Sequence, residues 1–336
     1  MSADFIPPLL LGLIPVLAFL TVMVWMDSYK LVRLRTVLLV IVSGAAAAGM
    51  AWLIITQILV PAMDPTLIRR YAAPLLEESL KAAIVVALIR TNRVGFLVDA
   101  AIMGFAAGTG FALVENLNYM AELKNAGVGL WIVRGLGTAI MHGGTTTIFA
   151  VTAKTLADKR GQAGPGVFAP GLLLAALLHS FFNHFFVAPM LQTALILLTL
   201  PPMVALVFQR GEYSLRNWLD VGFDADTKML AMIHTGRLSD SPVGLYLATL
   251  KDKFRGEIVA DLLCYLRLHT ELSLRAKGLL MMRESGFQVH VDQDVREKLD
   301  ELAYLERSIG RTGRLAVMPM LQKTGKELWQ IYMLKE

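Results

Sequence analysis

The chain is poor in cysteine and in charge. It has one cysteine in 336 residues, and only 18% of its residues are Asp, Glu, Lys or Arg, against 55% hydrophobic residues. The lone Cys264 excludes an intrachain disulfide and a cysteine-ligated zinc site. The first apolar stretch has no basic residues before it and no small-x-small cleavage site after it, so an uncleaved helix is expected there rather than a signal peptide. Residues 210–336 contain no glycine-rich phosphate loop, no HExxH and no internal repeat. Low charge with a mean hydropathy of +0.56 indicates a membrane protein.

What charge there is lies unevenly. Residues 1–209 hold 13 Lys and Arg against 9 Asp and Glu, and residues 210–336 hold 19 against 18. The expected division is therefore a transmembrane domain over 1–209 and a soluble helical domain over 210–336, all-α throughout. The basic excess of the first part is explained by loop orientation, so no nucleic-acid partner is expected.

About seven transmembrane helices are expected, over residues 6–26, 37–60, 74–89, 94–120, 130–156, 167–187 and 189–208. Alternating spans put Lys30, Arg33, Arg35, Arg90, Arg93, Lys159, Arg160 and Arg210 on one side, and only Arg69, Arg70 and Lys124 on the other. The richer side is expected to be cytoplasmic, which places the N-terminus outside and the C-terminal domain in the cytoplasm.

Four polar sites interrupt the apolar spans: Glu77-Glu78-x-x-Lys81, Glu115-Asn116, His142 followed by two glycines, and His179 with Asn183. Each has an ordinary structural reading. Acids near a helix start suit the macrodipole, a membrane glutamate can be neutral or hydrogen-bonded to a neighbour, and a single histidine can be a neutral core residue. At about 1.5 Å per residue, however, Glu77 and Glu78 lie roughly 5 Å, Glu115 about 8 Å, His179 about 12 Å and His142 roughly 18 Å from the outer ends of their spans. All four fall in the outer half and are compatible with one pocket. His179 and Asn183 are four apart and share a helix face, suited to holding a water or an oxyanion. Asp99 and Arg134 are expected near span ends, with side chains reaching the membrane surface.

In this order and on successive helices, the four motifs resemble those of the PrsW family of intramembrane proteases, distantly similar to the CAAX-prenyl and bacteriocin-processing proteases of the ABI superfamily. The resemblance covers roughly residues 70–190. The second motif ends in Glu115, the PrsW-like choice, where CAAX-type relatives have histidine. The last ends in Asn183, where PrsW relatives often have aspartate. The resemblance implies an intramembrane endopeptidase, of glutamic or metallo type, in the bacterial inner membrane. Its substrate would be membrane-anchored, such as an anti-sigma factor, and cut near the extracytoplasmic side. By the same resemblance Glu77 or Glu78 is the general base, Glu115 and His142 orient the water or bind a metal, His179 with Asn183 form the oxyanion side, and Asn116, next to Glu115, is counted among the catalytic residues.

His142 and His179 with Glu115 and either Glu78 or Glu77 make a chemically acceptable Zn2+ set, and a metal-free, glutamate-activated water is the alternative. Two other functions use the same residues: a proton-coupled transporter or channel with Glu78, Glu115, His142 and His179 as relay, and a non-catalytic membrane scaffold. In the C-terminal part, Ser241-Pro242 reads as a helix start, and Val295, Leu299, Leu302, Leu305 and Ile309 form an apolar stripe at helical spacing.

Overall fold

A computed structural model describes residues 6–123, 126–161, 163–287, 292–321 and 325–335. Lys124, expected in an outer loop, lies outside them. Every regular element among the described residues is helical. Two compact units form, Met1–Glu212 and Tyr213–Glu336.

The first unit is built from α1 (Ile6–Met26), α2 (Leu34–Ile54), α3 (Ala73–Arg90), α4 (Leu97–Glu122), α5 (Ala139–Arg160), α6 (Pro165–Asn183) and the first part of α7 (Pro189–His234). Five helical stretches among the described residues are long and apolar enough to cross a membrane: Pro8–Met26, Leu34–Ala62, Leu97–Glu122, Pro165–Asn183 and Pro189–His234. α3 and α5, which carry Glu77, Glu78, Lys81 and His142, fall short of that apolarity and pack against their neighbours inside the bundle. The seventh expected span ends at residue 208, but α7 runs on to His234 without a break. Polar residues beyond Arg210 change the solvent of a helix without ending it, because Lys, Glu and Arg are good helix formers.

The bundle is inside out relative to a soluble protein. Large apolar side chains such as Trp25, Val42, Leu173 and Leu198 are exposed, whereas the interior mixes small residues, such as Ala100, Ala106 and Ala107, with large ones such as Phe105, Trp131 and Phe149. α4 is the central helix, with all residues from Val98 to Ala112 buried. Two of its glycines set the spacing. A Cβ at Gly108 would stand 2.3 Å from the His142 carbonyl oxygen, and one at Gly110 would stand 1.9 Å from that of Ile41. The first lets α5 lie close enough to bring His142 to the centre, and the second does the same for α2. In α5 the hydroxyls of Thr146 and Thr147 donate to carbonyls four residues back, so these polar groups enter the apolar interior satisfied.

Two π-helical turns, Ile68–Ala72 and Val133–Thr138, feed directly into α3 and α5. Each inserts a residue into the helical path and rotates the helix beyond it. Asp99 departs from the sequence expectation. It is 1% exposed, and its carboxylate accepts from the backbone N–H groups of Gly95, Phe96 and Ala100, closing the start of α4. Unpaired amides at a helix start are a nearer partner than the membrane surface.

The second unit continues through α8 (Pro242–Leu250), α9 (Gly256–Glu284), α10 (Gln293–Val317) and α11 (Gly325–Lys335). The Ser241 hydroxyl accepts from the Gly244 N–H, with Pro242 in the first turn, as its sequence suggests. The stripe Val295, Leu299, Leu302, Leu305 and Ile309 is buried, on a helix that packs against α9.

Candidate active site

Glu78, Lys81, Glu115, His142 and His179 converge, and Glu78 is the most heavily bonded of them. Its Oε1 accepts from Lys81 Nζ at 2.6 Å, His179 Nδ1 at 2.8 Å and Thr145 Oγ1 at 3.0 Å, with the side chain 1% exposed. Three donors on one oxygen leave that atom no spare acceptor capacity.

The histidine tautomers follow from these partners. An ammonium has only protons to give, so Lys81 Nζ, 3.1 Å from His142 Nδ1, makes that nitrogen the acceptor. His142 Nε2 then carries the proton and donates to Glu115 Oε2 at 2.9 Å. His179 donates through Nδ1 to Glu78, which leaves the Nε2 lone pair facing Glu77 Oε2 at 3.8 Å. The two imidazoles meet edge to face, with centroids 4.8 Å apart and planes at 88°.

Glu77 differs from Glu78 in having no donor. Its Oε2 is buried without a hydrogen-bond partner, although the side chain is 12% exposed and lines a cavity of about 320 Å³. Ala51 and Phe111 form the apolar wall of that cavity, and Glu77, Glu115, Tyr119 and Asn183 its polar wall. A buried carboxylate oxygen without a donor, beside a bare imidazole lone pair, is suited to a cation. One ligand atom each from Glu77, His142 and His179 can be chosen so that all lie within 4.8 Å of one another. The set expected from sequence held the two histidines with Glu115 and either Glu77 or Glu78. In the folded chain Glu78 holds the His179 ring from behind, an arrangement common around metal-ligating histidines, whereas Glu115 accepts from His142 Nε2 and Lys81 faces His142 Nδ1.

Arg134, expected to reach the membrane surface, is instead 9% exposed and stands behind Glu115. Its NH2 lies 3.2 Å from Glu115 Oε2, its Nε donates to Asn116 Oδ1 at 2.9 Å, and its guanidinium stacks 3.6 Å from the Tyr119 ring centroid. A carboxylate, an amide and an aromatic face within reach outweigh the cost of leaving the interface. Arg134 precedes His142 by eight residues, a little over two turns, and that spacing was the available signal. Thr145, three residues after His142, was the other residue missed.

The two asparagines make structural contacts. Asn116 Nδ2 donates to the Gly12 carbonyl at 2.7 Å, tying α1 to Arg134. Asn183 Nδ2 donates to the Arg69 carbonyl at 3.1 Å, and Ser180 Oγ donates to that of Arg70 at 2.5 Å. These bonds satisfy carbonyls of the π-turn before α3. Of the expected pair, His179 reaches Glu78 and Asn183 lines the cavity.

No curated protein and no solved structure matches the chain. A family model described as PrsW family intramembrane metalloprotease matches residues 32–208, which is more than half of the chain and includes every residue of this cluster. The chain therefore belongs to the PrsW family, and it is an integral-membrane protease.

Proposed function

We propose that the protein is a zinc endopeptidase of the bacterial inner membrane that cuts a membrane-anchored protein, such as an anti-sigma factor, near the extracytoplasmic face. The observation that carries this reading is the buried meeting of Glu77, His142 and His179 beside a cavity, with Glu77 Oε2 left without a donor. These three residues would hold the metal, His142 through Nδ1 once Lys81 gives way, and the metal when bound supplies Lewis acidity toward the scissile carbonyl and offsets the charge of three carboxylates.

The other residues position and move protons. Glu78, anchored by Lys81 and Thr145, fixes the ring of His179 through Nδ1. Glu115 lines the cavity, and Arg134 and His142 fix its Oε2. In this reading it is the general base that takes a proton from the attacking water and returns it to the leaving amine. Asn183 gives one amide proton to Arg69 and keeps a second for the oxyanion. The base expected at Glu77 or Glu78 thus moves to Glu115, because Glu78 Oε1 is saturated and Glu77 stands with the two imidazoles.

One observation favours a second reading. Both nitrogens of His142 are already engaged, by Lys81 and by Glu115, which suits a metal-free site in which Glu77 activates the water. Elemental analysis of the purified protein separates the two. The zinc reading expects one metal per chain, lost in His179→Ala, and cleavage of a labelled membrane-anchored reporter that stops on chelation and returns with added Zn2+. Full cleavage by metal-free protein would leave the second reading.

A further inference from the structure

A second cavity, of about 250 Å³, lies on the other side of Thr145, between α5, α6 and the outer turns of α7. Its lining is mostly apolar, including Ile148, Phe182, Ile196 and Leu200, with Thr145, Thr199 and Gln192 as its polar members. Gln192 is 4% exposed, and neither its Nε2 nor its Oε1 has a hydrogen-bond partner. A fully unpaired carboxamide in an apolar membrane bundle costs several kcal/mol by transfer measures, so a chain under no other constraint would carry leucine or methionine there. At the cavity edge Leu178, Phe181 and Leu195 are between 39% and 53% exposed, so the cavity opens sideways toward lipid rather than toward water.

The orphaned group defines its ligand. A carboxamide needs an acceptor for its N–H groups and a donor for its oxygen at the same time. The ester of a lipid offers only acceptors and would leave Oε1 unpaired. A peptide unit, or the side chain of Ser, Thr, Asn or Gln on a membrane segment, offers both. We propose that this cavity is a docking site, separate from the catalytic cluster, for the membrane-embedded segment of the substrate. An apolar side chain of that segment fills the cavity, and a polar group with both donor and acceptor pairs with Gln192. The proposal rests on the protease reading of the neighbouring site.

The cavity is also wired to that site. Thr145 lines it, and the Thr145 hydroxyl donates to Glu78 Oε1, which holds His179.

The test compares two substrates cleaved by the full-length protein in proteoliposomes. One is a single-span membrane reporter with a Ser or Asn in the outer half of its span, and the other is fluorescein-labelled casein, which has no membrane segment. Gln192→Leu should raise KM for the reporter about tenfold, the size that two neutral hydrogen bonds supply, with kcat and casein cleavage unchanged. Replacing the reporter's polar residue by Leu should produce the same loss in the wild type and no further loss in Gln192→Leu. Ile196→Trp, which fills the cavity from another wall, should act like Gln192→Leu. Equal KM for the reporter in wild type and Gln192→Leu overturns the proposal, as does a parallel loss on casein, which marks Gln192 as structural. A reporter KM that depends on added phospholipid in detergent, and not on the reporter's polar residue, assigns the cavity to lipid and also overturns it. Failure of the protease reading looks different: cleavage of both substrates would survive Glu77→Gln.

Discussion

Each unit buries a lysine against a carboxylate. In the membrane unit Lys81, with no exposure, meets Glu78 at 2.6 Å, and Thr145 donates to the same oxygen. In the second unit Lys277, 3% exposed, meets Asp226 at 2.5 Å, and Ser273 donates to the same oxygen. The local chemistry is nearly identical: an ammonium, a carboxylate and a hydroxyl. The surroundings differ. Asp226 retains 20% exposure, and Lys277 lies 5.1 Å from the Trp218 ring centroid, so that pair ends in an aromatic face and in Gln330, which donates to Ser273. Glu78 passes its contact to His179, whose other nitrogen faces the unpaired Glu77. A buried lysine–carboxylate pair is a scaffold element, and the imidazoles attached to it turn one of the two into a site with chemistry to perform.

Breaking the catalytic end of this comparison should have the largest effect. Glu77→Gln and His179→Ala are each expected to lower cleavage of a membrane-anchored reporter by roughly a thousandfold or more while the thermal unfolding midpoint in detergent shifts little. The lysines test the scaffold ends. Lys81→Met leaves Glu78 buried without its cation and should cost about 3–5 kcal/mol in denaturant unfolding. Lys277→Met should cost about 1–2 kcal/mol, because water reaches Asp226. Equal losses at the two lysines would mean that burial does not distinguish the pairs.

Arg134→Lys sharpens the comparison from outside the pair. Lysine keeps the charge beside Glu115 but loses the Nε bond to Asn116 and the stacking on Tyr119, so kcat should fall about tenfold with KM unchanged.

The smallest effect concerns Asp27, which follows α1 and is 2% exposed. Burial raises its pKa from 3.8 to about 6, against hydrogen bonds from the backbone of Val32 and Leu31 that lower it. A carboxyl whose folded pKa is raised ionises first in the unfolded chain, so its contribution to stability is lost as pH rises from about 3.8 to about 6. Asp27→Asn removes that loss but weakens the bond to Val32. The variant is expected to be more stable than wild type by about 2 kcal/mol above pH 6 and less stable by about 1 kcal/mol below pH 3, in unfolding measured across that range.

Much of this was legible beforehand. Apolar runs of bilayer length and the polar residues that interrupt them are one-dimensional signals, and Glu77, Glu78, Lys81, Glu115, His142 and His179 do gather. Arg134 and Asp99 were misread for the same reason. A charged residue near a span end reaches water only if nothing nearer binds it: Arg134 meets Asn116 and Glu115 on another helix, and Asp99 meets the backbone of Gly95 and Phe96 just before it in the chain.

The motif at Glu77-Glu78 shows where the division lies. Spacing along the chain determined that two carboxylates and a lysine share the start of one helix, and that histidines and a third carboxylate come on later helices. Spacing also aligned Glu77 with Lys81, four residues on. Only the tertiary structure decided that Lys81 bonds Glu78 and that Glu77 is the carboxylate without a donor. The physical reason is that a hydrogen bond depends on positions to about half an ångström, and those positions are set by close approaches between helices. Gly108 lets the His142 backbone come up against α4, and two π-turns rotate α3 and α5 into phase. No sum of local preferences along the chain contains those distances.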